Sequence, residues 1–182
     1  MRIGIDLDDT ICQTTEIVQN RLKRYATEEK MNPLDIINDD FLKHSFFSIY
    51  LEDIYLNVDV KKDAINVLKR LRSRGNEIYV VTARRSDYVP SVTDVIKITE
   101  RWLNENNIEV DGIITAAYGE TKADVCKRYN IDIMIDDDPY NYKKIVSSGT
   151  KCLLFDDKER YDLKNNYVTS WLEIEKYIER NR

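Results

Sequence analysis

Short apolar runs along the chain alternate with segments in which apolar residues recur every three or four positions. The apolar runs predict buried strands at 2–6, 77–83, 112–115, 131–136 and 151–155. The helical spacing predicts helices at 60–74, 91–104, 121–130, 140–149 and 170–181. In the last of these helices, we expect Trp171 and Leu172 to face the core. Buried strands that alternate with helices are typical of a mainly parallel sheet covered on both faces, so the pattern predicts an α/β fold.

Residues 13–59 break this alternation, because they contain no clear strand. Two stretches within them look helical, namely 13–30 and part of 33–56. A crossover between parallel strands needs only one helix, so this segment is longer than a plain connection requires. We therefore predict that residues 13–59 form an inserted helical cap and that residues 1–12 and 60–182 form the core.

The predicted cap carries several aromatic residues, which allow two interpretations. The rings of Phe46, Phe47, Tyr50 and Tyr55 could form the core of the cap itself. Alternatively, one or two of them could roof a substrate pocket, where an aromatic ring can stack on a flat group. On the second interpretation, Phe46 and Phe47 are candidate substrate-binding residues.

Composition narrows the class of protein. The chain has 182 residues and a net charge of −5, which argues against a nucleic-acid polymer as partner. No apolar run approaches the ~20 residues that a membrane span needs, so no membrane partner is expected. The three cysteines are Cys12, Cys126 and Cys152. They are far apart and form no Cys-x-x-Cys motif, so the sequence indicates neither a disulfide framework nor a zinc site. We therefore expect the protein in the reducing environment of the cytoplasm.

Acidic residues follow two of the predicted strands directly. Asp6 and Asp8 come at the end of the first strand, and Asp136 and Asp137 follow the run at 131–136. Ligands of parallel α/β sheets bind at the carboxyl ends of the strands, so both clusters are expected at one edge of the sheet. Carboxylates that lie this close repel one another unless a cation neutralises them, and a hard dication with oxygen ligands does so. We therefore expect Mg²⁺ at this edge.

Two further residues have positions that suit phosphoryl transfer. Thr82 ends the strand at 77–83, and Lys122 starts the helix at 121–130. A transferring phosphoryl group spreads its charge over three oxygens, and a hydroxyl, a lysine and a divalent cation can stabilise that charge. A carboxylate can act as the nucleophile, and a second one as the general acid and base.

Four short motifs carry a resemblance to a known family. "DLDDT" at 6–10, "VVTAR" at 80–84, "TK" at 121–122 and "IDDDP" at 135–139 resemble the motifs of the haloacid dehalogenase superfamily of phosphohydrolases. The chain length, the cap after the first motif and "IDDDP" are similar to the 5′(3′)-deoxyribonucleotidase family in particular. The resemblance implies a Rossmann-like three-layer core, dependence on Mg²⁺ and dephosphorylation of nucleoside monophosphates through an aspartyl-phosphate.

The resemblance also implies roles for the acidic residues. Asp6 would be the nucleophile and a metal ligand. Asp8 would be the general acid and base, and its backbone carbonyl would also bind the metal. Asp136 would bind the metal, and Asp137 would bind it directly or through water.

The remaining motif residues would handle the phosphoryl group. Thr82 would donate a hydrogen bond to its oxygens, with the backbone of Ala83 and Arg84 nearby. Lys122 would neutralise the nucleophile and the phosphate. Thr10 would hold the loop that carries the first motif.

Other functions remain open at this point. A phosphatase or phosphomutase for sugar phosphates or other small phosphoesters would use the same residues. A receiver-type signalling domain also has an acid pair, a threonine and a lysine in this order. It needs its acceptor aspartate at the end of the third strand, which the positions of Asp136 and Asp137 do not match. The sequence leaves the base and sugar of the substrate open, and a homodimer is one option for the oligomeric state.

Overall fold

Six parallel strands form one sheet in this computed structural model, which describes residues 1–84, 94–161 and 166–181. The strand order is β3-β2-β1-β4-β5-β6. The strands are β1 (Arg2–Ile5), β2 (Glu77–Thr82), β3 (Gly112–Thr115), β4 (Ile133–Asp136), β5 (Lys151–Phe155) and β6 (Tyr167–Val168). The helices are α1 (Thr14–Glu29), α2 (Pro33–Asn38), α3 (Asp40–Asn57), α4 (Ala64–Ser73), α5 (Val95–Glu105), α6 (Lys122–Arg128), α7 (Pro139–Ser147) and α8 (Trp171–Arg180). The predicted α/β fold is confirmed.

Each face of the sheet packs against its own set of helices, so the core has three layers. One apolar cluster joins side chains such as Ile5 and Ile135 to α4, α5 and α8. The second joins alternate strand residues such as Met134 to α6 and α7. This two-sided burial explains why the strands are continuous apolar runs, because every side chain of a covered strand meets a helix layer.

The order of the strands places the ends of β1, β2 and β4 side by side. β1 is the central strand, with Ile5 paired to Val80 of β2 and to Ile135 of β4. All three strands run in the same direction, so their carboxyl ends open on one edge of the sheet. The loops that follow β1, β2 and β4 therefore meet at this edge.

The segment between β1 and α4 is helical, as predicted. Helices α1, α2 and α3 pack on one another around a small apolar cluster that includes Tyr25, Ile36 and Phe46. We refer to residues 14–57 as the helical insertion. The segments that lead into and out of the helical insertion lie next to each other. Cys12 forms an antiparallel β-bridge with Val60, and the Gln13 N–H donates to the Asp59 carbonyl (2.9 Å).

Two details of the C-terminal part differ from the sequence-based prediction. Trp171 is buried, but Leu172 is 51% exposed, so the inward orientation predicted for Leu172 is wrong. Leu172 lies about 100° around the helix axis from Trp171, and in α8 this rotation places it on the solvent side. The short strand β6 was not predicted, since two residues are too few to produce a pattern.

The predicted boundaries also shift by a few residues. The helix predicted at 60–74 begins only at Ala64, because Val60 pairs with Cys12 in the connection from the helical insertion. The start of the helix predicted at 91–104 lies outside the described residues. Among the described residues, no helix combines the length and apolar character that crossing a bilayer requires.

Candidate active site

Lys122 connects the two acidic clusters that follow β1 and β4. Its Nζ lies 2.6 Å from Asp6 Oδ1 and donates a hydrogen bond of 2.8 Å to Asp136 Oδ2. All three side chains are buried. The strand ends therefore bring together residues that are distant in the sequence, and Lys122 lies between the two carboxylates.

The start of α6 holds Lys122 in this position. Thr121 forms a capping box with Asp124, in which each side chain bonds the backbone N–H of the other residue. Lys122 is the first residue of the helix, and it points towards the sheet edge instead of the solvent. The start of α6 therefore directs the Lys122 side chain to Asp6 and Asp136.

Burial and charge have opposing effects on the site's ionisable groups. Burial raises the pKa of Asp6 well above its usual value, and the nearby Lys122 only partly offsets this effect. Burial also disfavours the charged form of Lys122, but the charges of Asp6 and Asp136 outweigh it and raise the lysine pKa. Lys122 therefore stays protonated at neutral pH.

Three carboxylates form a group that fits a hard cation. One oxygen each from Asp6, Asp136 and Asp137 lies within 4.8 Å of the other two. Burial and the neighbouring Asp136 raise the pKa of Asp137 to about 7, with a smaller contribution from Asp9. An oxygen-only donor set with excess negative charge suits Mg²⁺.

Hydrogen bonds to the other oxygen of Asp136 fix the orientation of this buried carboxylate. Asp136 Oδ1 accepts from the Asp138 backbone N–H (3.0 Å) and from the Asn141 side-chain amide (3.2 Å). Arg160 lies on the far side of the group, with Nη2 3.5 Å from Asp137 Oδ2. Asn141 and Arg160 were not predicted, and no motif in the sequence indicates them.

Asp8 is not part of the Lys122 network, and its carboxylate contacts Arg84 instead. Arg84 Nη2 lies 2.6 Å from Asp8 Oδ1, and Arg84 Nε lies 3.1 Å from both carboxylate oxygens. The Thr14 hydroxyl donates a further hydrogen bond of 2.6 Å to Oδ1. Burial raises the pKa of Asp8, but the Arg84 charge and hydrogen bonds outweigh burial and lower it.

The side chain of Arg84 is buried between the core and the helical insertion. Its side chain is 1% exposed, and its guanidinium lies 3.6 Å from the ring centroid of Tyr55 in α3. Its backbone N–H donates to Thr82 Oγ1 (3.1 Å). The guanidinium therefore contacts Asp8 and the helical insertion, and the predicted approach of the Arg84 backbone to the phosphoryl group stays a prediction.

The aromatic residues of the helical insertion separate into core and site positions. Phe46 has no exposed surface and packs against the rings of Tyr25, Phe47 and Tyr50. This burial contradicts the prediction that Phe46 contacts substrate. Phe47 is half-buried, and its predicted contact with substrate stays a prediction. Tyr55 is the aromatic residue that reaches the Asp8 side of the site, through Arg84.

Thr10 and Thr82, the threonines of the first two motifs, are completely buried. Thr82 Oγ1 accepts the hydrogen bond from Arg84 noted above, and the neighbouring Ala83 is exposed. Thr10 Oγ1 has no hydrogen-bond partner in the described part of the chain, although the Thr10 carbonyl accepts from Trp171 Nε1 (3.1 Å). The backbone of Thr10, not its hydroxyl, connects the first motif to α8.

Several solved structures share this architecture over nearly the whole chain. A haloacid dehalogenase-like hydrolase from Streptococcus pneumoniae superimposes with a TM-score of 0.74 at 16% identity, covering 97% of both chains. A protein of Clostridium acetobutylicum described as a "predicted phosphatase" gives a TM-score of 0.72 at 16% identity, covering 98% of both chains. The magnesium-bound "putative HAD-hydrolase YfnB" of Bacillus subtilis gives 0.70 at 11% identity, also covering 98% of both. The fold is that of the haloacid dehalogenase (HAD) hydrolases.

Within that superfamily, the family is also defined. Residues 1–182 match the family model described as "5' nucleotidase, deoxy (Pyrimidine), cytosolic type C protein", and the chain belongs to this family. A Bacillus cereus protein described as "Putative nucleotidase" is 21% identical over 188 residues, covering 96% of both chains. The predicted resemblance is confirmed, and the chain is an enzyme of the phosphatase class.

Proposed function

We propose that the protein is a Mg²⁺-dependent phosphomonoester hydrolase that acts through an aspartyl-phosphate, and that its substrates are (deoxy)nucleoside monophosphates. The observation that carries the proposal is the buried contact of Lys122 with Asp6 and Asp136. The candidate nucleophile Asp6, the ammonium group of Lys122 and the carboxylates of Asp136 and Asp137 lie together at one edge of the sheet. The family match supports the nucleotide substrate.

Asp6 is the nucleophile in this proposal. Its carboxylate oxygen attacks phosphorus, the bond from phosphorus to the ester oxygen breaks, and an aspartyl-phosphate forms. Lys122 favours the ionised carboxylate, which partly offsets the effect of burial, and it offsets the charge that builds up on the phosphoryl oxygens. Thr82 ends the neighbouring strand β2, and its hydroxyl and the backbone of Ala83 would hydrogen-bond the same oxygens.

Asp8 transfers protons in both steps. Because Arg84 lowers the pKa of Asp8, the free carboxylate is ionised and must take up a proton when the substrate binds. In the first step, Asp8 gives this proton to the departing ester oxygen, so that the product leaves as an alcohol. In the second step, ionised Asp8 takes a proton from a water molecule as that water attacks phosphorus. The bond from Asp6 to phosphorus then breaks, inorganic phosphate leaves, and the Asp6 carboxylate is regenerated.

Asp6, Asp136 and Asp137 would hold the cation, together with the Asp8 backbone carbonyl. The cation supplies charge neutralisation for the phosphoryl oxygens and for the carboxylates themselves. Asn141 and the backbone N–H of Asp138 orient Asp136 for this role. The pKa of Asp137 near 7 reflects an electrostatic demand that a bound cation would satisfy.

We further propose that residues 13–59 act as the cap over the core of residues 1–12 and 60–182. Tyr55 and the half-buried Phe47 lie on the side of the helical insertion that meets the core, so the substrate's leaving group would be recognised there. The three cysteines are free and buried, which supports a cytoplasmic location.

One assay tests the reaction and the substrate class together. Phosphate release is measured from nucleoside 5′-monophosphates, deoxynucleoside 5′- and 3′-monophosphates and sugar phosphates, each with Mg²⁺ and with excess EDTA. We expect metal-dependent release, fastest from nucleotides, and no turnover by Asp6→Asn. The exposed variant Asp35→Asn is the matched control. Faster release from sugar phosphates would reject the nucleotide substrate and keep the chemistry, whereas full activity of Asp6→Asn would reject the mechanism.

A further inference from the structure

We propose that Arg84 is a positioning residue for Asp8, and that Tyr55 of the helical insertion holds Arg84 in place for the hydrolysis of the phosphoenzyme. This inference rests on the proposed function. It assigns a role to two residues that do not contact the reacting atoms. The motif at 80–84 includes Arg84 but does not pair it with Asp8, and Tyr55 belongs to none of the four motifs.

The contact between Arg84 and Asp8 defines the direction of the carboxylate. Both oxygens of Asp8 accept hydrogen bonds from the guanidinium, and the Thr14 hydroxyl adds a further bond to Oδ1. A planar guanidinium that contacts both oxygens restricts rotation of the carboxylate more than a single ammonium would. The Asp8 side chain keeps 31% exposure, so it remains accessible from the site while Arg84 is covered.

Arg84 is itself held by two different parts of the molecule. Thr99 of α5 lies on the core side, with its hydroxyl oxygen 3.4 Å from Nη1. Tyr55 of α3 lies on the other side, and its ring faces the guanidinium at 3.6 Å. A desolvated guanidinium over an aromatic face is held more strongly than an exposed one. The position of Asp8 thus depends on the helical insertion through Tyr55 and Arg84.

The second half-reaction is the step that needs this arrangement most. The attacking water must give its proton to a carboxylate that is aimed at it, and the guanidinium fixes the direction of Asp8 through its contacts with both carboxylate oxygens. Formation of the phosphoenzyme from an aryl phosphate needs little help from Asp8, because an aryl oxide leaves without a proton. Loss of Arg84 should therefore slow hydrolysis of the phosphoenzyme more than its formation.

Rapid-mixing kinetics with p-nitrophenyl phosphate and Mg²⁺ separate the two steps. For Arg84→Met we expect a burst of about one nitrophenolate per site, with a burst rate within about 3-fold of wild type. The steady-state rate should fall about 10- to 100-fold, because loss of positioning removes part of the roughly 10²–10⁴-fold that a general base contributes. Acid-quenched protein should carry covalent phosphate during the steady state. Arg84→Lys keeps the charge without the planar contact and should show an intermediate burst.

Matched variants separate positioning from loss of structure. Arg101→Met removes an exposed arginine of α5 and should show wild-type kinetics. Tyr55→Leu removes the ring over the guanidinium while leaving the Arg84–Asp8 pair intact, and it is compared with Tyr55→Phe, which keeps the ring. We expect more phosphoenzyme in Tyr55→Leu than in Tyr55→Phe. If Arg84→Met does not fold, as judged by circular dichroism, this pair decides the question.

The outcomes distinguish the inference from the function on which it rests. An equal fall of the burst rate and the steady-state rate in Arg84→Met, with no covalent phosphate, would overturn the positioning role. Equal phosphoenzyme levels in Tyr55→Leu and Tyr55→Phe would remove Tyr55 from it. If the wild-type protein released no nitrophenolate and no phosphate from any ester, the proposed function itself would fail.

Discussion

Asp6 and Lys122 form a buried ion pair at 2.6 Å, although one follows the first strand and the other starts the sixth helix. The same lysine nitrogen donates to Asp136, which ends β4. A buried charge pair is costly to assemble and costly to break, because the remaining charge loses its partner in a poorly solvated place. The pair therefore makes both the stability and the chemistry of the site depend on Lys122.

Replacing Lys122 should reduce activity and stability together. In Lys122→Met, the carboxylates of Asp6 and Asp136 lose their partner, and we expect unfolding free energy to fall by about 3 kcal/mol. We expect kcat to fall more than about 100-fold, because the nucleophile and the phosphoryl group lose a cation. Urea unfolding and phosphate release measure the two effects. Lys127→Met, an exposed lysine of the same helix, is the control, and activity within 10-fold of wild type in Lys122→Met would contradict the assigned role.

Asp137 should make the metal-free protein less stable as the pH rises. Its pKa is about 7 in the folded protein and near 3.8 in the unfolded chain, so folding favours the protonated form. The stabilisation from this proton is fully present below about pH 4 and is lost as the pH rises through 7. In EDTA at pH 8, Asp137→Asn should therefore be about 1–3 kcal/mol more stable than wild type.

The same variant tests the metal site. Added Mg²⁺ should raise the melting temperature of the wild-type protein and of Asp35→Asn, because a ligand that binds only the folded state stabilises it. It should have little effect on Asp137→Asn, which lacks one carboxylate of the group. An equal Mg²⁺ response in all three proteins would place the cation elsewhere.

Glu175 should contribute to stability at neutral pH and lose this contribution in acid. Hydrogen bonds from Arg70 and Arg74 lower the pKa of Glu175 to about 2, against burial, which acts in the opposite direction. A lowered pKa stabilises the folded protein above about pH 4.5, and the effect is lost as the pH falls through 2. We expect Glu175→Gln to cost about 1–2 kcal/mol at pH 7, because both arginines are partly exposed and solvent screens the pair.

Urea unfolding at pH 7, 5 and 3.5 checks this expectation. The difference between Glu175→Gln and wild type should shrink at the lowest pH. Glu105→Gln removes an exposed partner of Arg101 and should change stability by much less at every pH. If Glu175→Gln lowered the unfolding free energy equally at every pH, the loss would come from altered packing and not from the missing charge.

Gly4 in the central strand should not tolerate a side chain. A Cβ at this position would lie 2.8 Å from Met134 Sδ and 3.0 Å from Ile131 Cγ2. Gly4→Ala should therefore lower the unfolding free energy by about 1–3 kcal/mol. Gly112→Ala, whose Cβ would lie 3.3 Å from the Tyr79 ring, should cost less. Thermal unfolding of the two variants compares them, and equal melting temperatures would show that Met134 repacks without cost.

Much of the site could be predicted because its residues follow strands. Asp6 and Asp136 each come directly after an apolar run, and in a parallel sheet the ends of such runs share an edge. The partners of Asp8 could not be predicted in the same way. Arg84 lies 76 residues from Asp8, and Tyr55 belongs to a helix whose orientation no local pattern indicates. Phe46 and Leu172 were assigned wrongly because local pattern does not show which side of a helix meets its neighbour.

The sequence by itself determined the parallel α/β core, the helical segment after the first strand and the two acidic strand ends, because periodicity and strand-end position are local properties of the chain. Only the tertiary structure decided that Lys122 lies between Asp6 and Asp136 and that Arg84 contacts Asp8 instead of open solvent. Ion pairs of this kind depend on the packing of several elements at once. Long side chains have many possible partners, and burial and charge select among them only after the elements have come together.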